Sequence, residues 1–187
     1  DTYISATGGT VTTSGNDKIH TFTGDGNFVV ASVGNSAGGG DKVSYLVVAG
    51  GGSGAGAGGA GGGAGGFREG KDAPISSYTA SPLNAPAGLT VTATTFPVTI
   101  GGGAAGGSSH PAPAPDKQGH TGSNSVFSTI TSAGGGGGGK GGDHAPGDRA
   151  NGLNGGSGGG AAQNSGPPPR ATVGAGNTPP VSPSQGN

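Results

Sequence analysis

Hydrophobic and polar residues alternate along this chain only over short runs, and the runs are strand-like. Most of the first 49 residues read as β structure. The runs KIHTFT at 18–23 and NFVVAS at 27–32 flank Gly24, Asp25 and Gly26. An Asp-Gly pair between β-branched and aromatic runs is a strong hairpin signal. With Asp25 and Gly26 as the loop, Phe22 faces Val29 and Thr23 faces Phe28 across the strands. Both faces of such a hairpin carry apolar side chains, which predicts burial in a sandwich or against another subunit. Residues 11–13, followed by the turn-like 14–17, supply one more strand. The run VSYLVVA at 43–49 is the best single strand, and LTVTATT at 89–95 alternates well enough to be another. Gly and Pro interrupt every candidate helix, so no window predicts one.

After the strand at 43–49 the pattern changes. Residues 50–66 are only Gly, Ala and one Ser, and the same join recurs. FPVTI at 96–100 runs into Gly101, FSTITSA at 127–133 into six consecutive glycines, and ATV at 171–173 into Gly174. A strand-like anchor that opens repeatedly into glycine predicts rods launched from a common β layer. The spacing is uneven, which excludes a short-period solenoid. Polyproline-II geometry gives three residues per turn and outward-pointing amides. Glycine rods in this geometry can approach closely enough to exchange main-chain hydrogen bonds, with Cα–H···O contacts adding a smaller term. At about 3.1 Å per residue, 50–66 as a single rod spans roughly 50 Å. Alanine methyls push rods apart, so Ala55, Ala57, Ala60 and Ala64 are expected to face outward or sit at a rod edge. The bland alternative is a flexible linker. Strict Gly-X-Y periodicity is missing, which excludes collagen. The proline runs at 110–115 and 167–169 read as stiff pieces that join or bridge the rods. The fold expected is therefore all-β plus polyglycine-II without α-helix. In it an N-terminal β-sandwich-like layer over 1–49 anchors a glycine-rod bundle over 50–187.

Composition supports a scaffold rather than an enzyme. The chain has 49 glycines and 14 prolines among 187 residues, above the roughly 25–30% that flags low complexity. High net charge, the usual partner of disorder, is absent: the formal charge is −1 and 9% of residues are charged. A near-neutral glycine-rich chain tends to associate with itself. The scattered basic residues, without interleaved aromatics, argue against nucleic-acid binding. Cysteine is absent, so no disulfide framework exists. No run approaches the roughly 18 apolar residues of a membrane span, so no membrane insertion is expected. The first residue is not Met, and 179–187 look like a pattern stopped midway, so the intact protein is expected to be longer.

Candidate chemistry is sparse. Residues 54–59 match G-x-G-x-x-G after a strand, but more Gly and Ala follow where a dinucleotide site needs a helix N-terminus. Residues 134–140 resemble a P-loop as far as Lys140, yet Gly141 stands where Ser or Thr would ligate magnesium. Lys140 reads instead as a solubilising break in a glycine run. His110, His120 and His144, with Asp116, Asp143 and Asp148, follow no zinc spacing. Glu69 is the only Glu, which disfavours a paired-carboxylate site. Neither catalytic residues nor a cofactor is expected.

An ordered series of motifs carries a resemblance. KIHTFT at 18–23 is followed by YLVVAGGG at 45–52, GAGGFR at 63–68, PVTIGG at 97–102, GSNSVF at 122–127, and Ala133 with its six glycines. The series, over roughly 8–187, resembles the glycine-rich domain of bacteriophage tail fibres, related virion proteins and some large bacterial surface proteins. Phage adhesins of this type pack polyglycine-II helices. The resemblance implies a structural or receptor-binding role, in a virion tail or at a cell surface, and no enzymatic activity. Its expected partners are further copies of the chain, as a trimer or helical assembly, and a host surface glycan or protein. The loops 108–121 and 143–153 are the expected receptor-facing surface, with Ser109, His110, Asp116, Lys117, His120, Asp143, His144, Asp148 and Arg149 as candidates. Weak contacts there gain strength through multivalency. The alternative is a self-assembling extracellular filament or surface protein of a bacterium, growing by strand pairing at open edges.

Overall fold

The computed structural model describes residues 1–56, 58–72, 78–108, 117–141, 150–163 and 170–187. The strands are β1 (Ser5–Thr7), β2 (Thr10–Ser14), β3 (Asp17–Thr21), β4 (Gly26–Ser32), β5 (Lys42–Val43), β6 (Tyr45–Val48), β7 (Phe67–Gly70), β8 (Leu89–Thr90), β9 (Thr95–Thr99), β10 (Ser125–Phe127) and β11 (Ile130–Ser132). The fold is all-β with antiparallel sheets. Helix is almost absent among the described residues, where a 3-10 turn covers Ser36–Gly38. One sheet has five strands in the order β1-β4-β9-β10-β11, and β2-β3, β5-β8 and β6-β7 form two-stranded sheets.

The hairpin expected around Asp25 and Gly26 does not form. β3 pairs instead with β2, from Ser14 opposite Asp17 to Thr10 opposite Thr21, across the loop Gly15 and Asn16. Gly15 takes φ +58°, which glycine reaches without steric cost. β4 pairs with β1 and β9, so Phe28 faces Phe96 and Val29 faces Thr7 and Thr95. The physical reason lies in two interactions. The Asp25 carboxylate accepts the Ile100 N–H at 2.8 Å, tying the supposed turn to the end of β9, and Phe28 gains two aromatic neighbours. Within the single chain only one face of β4 is covered. Phe28 and Val30 are buried, whereas Val29 between them remains 37% exposed.

Other strands differ in extent. The run 43–49 breaks at Ser44 into β5 and β6. Of the run 89–95, only Leu89–Thr90 form β8, and Thr95 already begins β9. The anchor at 127–133 is a hairpin, β10 turning through Ser128 and Thr129 into β11, with Ser128 at φ 53°. Residues 171–173 form no strand. The other three joins hold, since β6, β9 and β11 each lead into a glycine segment.

The chain makes two compact units, each drawn from three stretches. One comprises 1–47, 68–100 and 126–131, and the other 48–67, 101–125 and 132–187. The first has an ordinary apolar core of Phe28, Val30, Val91 and Val98, lined by Phe22, Phe96 and Phe127 among others. Phe28 lies edge-on to Phe127 at 5.8 Å and to His20 at 5.1 Å between ring centroids, a favourable aromatic geometry. Glu69 in β7 is buried, and its carboxylate accepts the Ser81 N–H at 2.8 Å. It is a structural group of this unit.

Candidate functional site

The second unit has almost no apolar side chains to bury, and its cohesion comes from the main chain. Extended segments run back and forth as 49–56, 60–67, 101–108, 117–124, 133–141, 150–156, 157–163 and 170–176. The block at 50–66 is thus not one rod. It folds back on itself, with Ala49, Gly52 and Ala55 donating to Gly66, Gly63 and Ala60. Gly59 donates to Gly56 at the reversal, where Gly58 takes φ +74°. This reversal occupies the G-x-G-x-x-G match, and extended chain follows it where a dinucleotide site would need a helix.

The hydrogen bonds between segments recur at every third residue. Gly50, Ser53 and Gly56 donate to Ser123, His120 and Lys117. Ala104 and Gly107 donate to Gly51 and Gly54, and Gly135 and Gly138 to Gly50 and Ser53. Gly136 and Gly139 donate to Ser157 and Gly160. The run 133–139 lies innermost, and every residue from 132 to 141 is buried. The directions in which side chains would project repeat with the same period. A Cβ on Gly134 or Gly137 would meet the carbonyl of Gly122 or Gly119. On Gly135 or Gly138 it would meet that of Gly63 or Ala60, and on Gly136 or Gly139 that of Leu153 or Ala150. Each approach is under 3.0 Å, closer than real Cβ atoms come. Glycine is therefore required at six successive positions by three neighbours in rotation.

Where a main-chain partner is missing, side-chain oxygens take its place. Asn151 and Asn154 accept the N–H groups of Thr172 and Ala175 at 2.8 Å, while Gly152 and Gly155 donate to the carbonyls of the same two residues. Asn124 accepts from Gly134, Ser125 from Gly101, and Ser53 from His120. The signal for Asn151 and Asn154 is the Asn-Gly pair at 151–152, repeated three residues later at 154–155.

Not every glycine in these segments is forced. A Cβ at Gly102 or Gly106 meets nothing within 4 Å. Replacing Gly102 with alanine only restricts the unfolded chain, so it is expected to raise stability by about 0.4–1 kcal/mol. Chemical denaturation of Gly102→Ala checks this, and a clear loss of stability would contradict the packing described.

Of the nine candidate receptor-facing residues, Ser109, His110, Asp116, Asp143, His144, Asp148 and Arg149 lie outside the described residues. So do both proline runs, 110–115 and 167–169, and Ala57. Lys117 is half-buried and its carbonyl accepts from Gly56. His120 is exposed, and its main chain bonds twice to Ser53. Of the alanines, Ala64 faces outward, while Ala55 and Ala60 are half-buried. Lys140 corrects its reading as a solubilising surface charge: it is only 6% exposed, at the end of the innermost run. Among the described residues no group of three His, Asp or Glu gathers as a metal site, and no helix is long and apolar enough to cross a membrane.

The bonding registers also fix where the segments turn. Segments 49–56, 101–108, 133–141 and 157–163 run one way, and those between them run back. The flanks of 109–116, 142–149 and 164–169, namely residues 108, 117, 141, 150, 163 and 170, therefore share one end of the unit. Every Asp, Lys and Arg of 101–187 lies within these three stretches or at most two residues from them.

Residues 36–187 match the family described as glycine-rich domain, and the chain belongs to that family. No curated protein and no solved structure matches it.

Proposed function

We propose that the second unit is a polyglycine-II bundle and that the protein is a structural, adhesive component of a virion tail fibre or related surface assembly. In this reading it is not an enzyme. The described flanks of 109–116, 142–149 and 164–169 lie at one end of the bundle, and in this reading those stretches meet a host surface glycan or protein. The three-residue recurrence of hydrogen bonds and of blocked Cβ directions supports the polyglycine-II assignment, because that helix has three residues per turn. The observation that carries the display role is that the described flanks of 109–116, 142–149 and 164–169 share one end of the unit, while in sequence every Asp, Lys and Arg of 101–187 falls in or next to those three stretches. A scaffold cohering through main-chain bonds leaves its connecting stretches free to vary, as binding surfaces on rigid scaffolds do. Further copies of the chain add valency to weak individual contacts.

The test replaces 109–116 and 142–149 with Gly-Ser linkers of equal length and measures adsorption of labelled protein to a panel of bacterial cells. Adsorption is expected to fall at least tenfold, with the thermal transition retained. Undiminished adsorption by the folded variant would refute the display role. Endless polymers of the native protein in electron micrographs would favour the filament alternative instead.

A further inference from the structure

The segment 177–187 behaves unlike the rest of the second unit. It adds no further glycine run. Instead it forms a loop closed on its own side chains. The Asn177 side chain accepts from the Val181 and Gln185 N–H groups and donates to the Val181 carbonyl, while Gln185 Nε2 donates to Pro179 at 2.8 Å. The loop is pinned at its start by Asn177 and Thr178, which donate to Gly156 and Gly155.

Its far side covers three main-chain donors of the glycine segments. Gln185 Oε1 accepts from Ala133 at 2.7 Å, the Gln185 carbonyl accepts from Phe67 at 2.8 Å, and the Asn187 carbonyl accepts from Gly158 at 2.8 Å. The Ala133 bond belongs to a series. Gly136 and Gly139 donate to successive carbonyls of 157–160, and at Ala133, three residues earlier, a side-chain amide stands where the next main-chain carbonyl of that row would be. Gln185 is 2% exposed, so its amide is a fully enclosed substitute for backbone. Removing the Gln185 amide bares the Ala133 N–H, and removing 177–187 bares those of Phe67 and Gly158 as well; unpaired main-chain donors of this kind template pairing with another chain.

We propose that 177–187 is a self-bound strap that terminates the glycine lattice and limits its growth into a second copy of this chain. The proposal rests on the reading that the glycine segments cohere through main-chain hydrogen bonds. In place of the strap, a second copy would supply an extended glycine segment to the donors of Phe67, Ala133 and Gly158.

The test compares the full chain with a chain ending after Gly176 and with Gln185→Ala, by light scattering coupled to size exclusion over a concentration series. Both variants are expected to shift toward higher-order species at concentrations where the full chain does not, the truncation more strongly. A synthetic peptide of 177–187, added to the truncated chain, is expected to bind and reverse the shift. The same peptide carrying Gln185→Ala should bind at least about tenfold more weakly, the factor corresponding to loss of one buried hydrogen bond. If the truncated chain does not fold, the point variant decides alone. Unchanged species distribution for every folded variant overturns the strap. Failure of the underlying lattice would show differently: Gly136→Ala would then leave stability unchanged, whatever the strap variants do.

Discussion

Gly136→Ala is expected to destabilise the protein by about 3 kcal/mol or more, at the upper end of what overpacking costs. The residue sits in the buried run 132–141, donates to Ser157, and accepts from Gly63. An added methyl would press on the Leu153 carbonyl and lies under 3.0 Å from the main chain of Gly159 as well. Those atoms belong to segments held by their own bonds, so they cannot retreat as a flexible side chain would. For a protein of this size the loss corresponds to a fall of roughly 6–12 °C in Tm. Circular dichroism or calorimetry on Gly136→Ala beside Gly102→Ala gives the decisive comparison. The two substitutions have the same chemistry in the same kind of segment, and opposite signs are expected because one Cβ meets backbone and the other meets open space. Equal effects would remove the case for a close-packed lattice.

Phe28→Ala should cost about 3–5 kcal/mol, the usual range for deleting a buried phenyl ring. Phe28 belongs to the buried apolar core of the first unit and packs against Phe96, Phe127 and His20. The surrounding apolar side chains are held on paired strands, so the cavity closes only in part. Phe28→Leu, which keeps most of the volume, is expected to cost less than about 1.5 kcal/mol. Urea denaturation of the pair checks the ratio, and a mild Phe28→Ala would show that the aromatic cluster contributes little.

The two units were unequally legible from residues. In the first, strand-forming runs are visible but their partners are not. Gly15-Asn16 and Asp25-Gly26 are both plausible turns, and local propensity does not choose between them. The choice falls to long-range groups, namely the Ile100 N–H for Asp25 and the rings of Phe96 and Phe127 for Phe28. The turn at Ser128 and Thr129 carries no Gly or Asn to announce it. In the second unit, main-chain cohesion was foreseeable from glycine alone, but the reversal at 56–59 was not, since a turn inside a Gly/Ala block looks like the block. Burial of Lys140 was hidden for the same reason: a run without side chains shows no inside or outside.

Sequence alone settled the material of this protein. Glycine at this density, with little charge and strand-like anchors, leaves the backbone as the only group able to hold the second unit together. Tertiary structure decided the pairing, because main-chain donors and acceptors are identical at every residue and carry no address. The few side chains that differ mark particular registers: Asn124, Asn151, Asn154 and Gln185 accept main-chain N–H groups in the second unit, and Phe28 fills the core of the first.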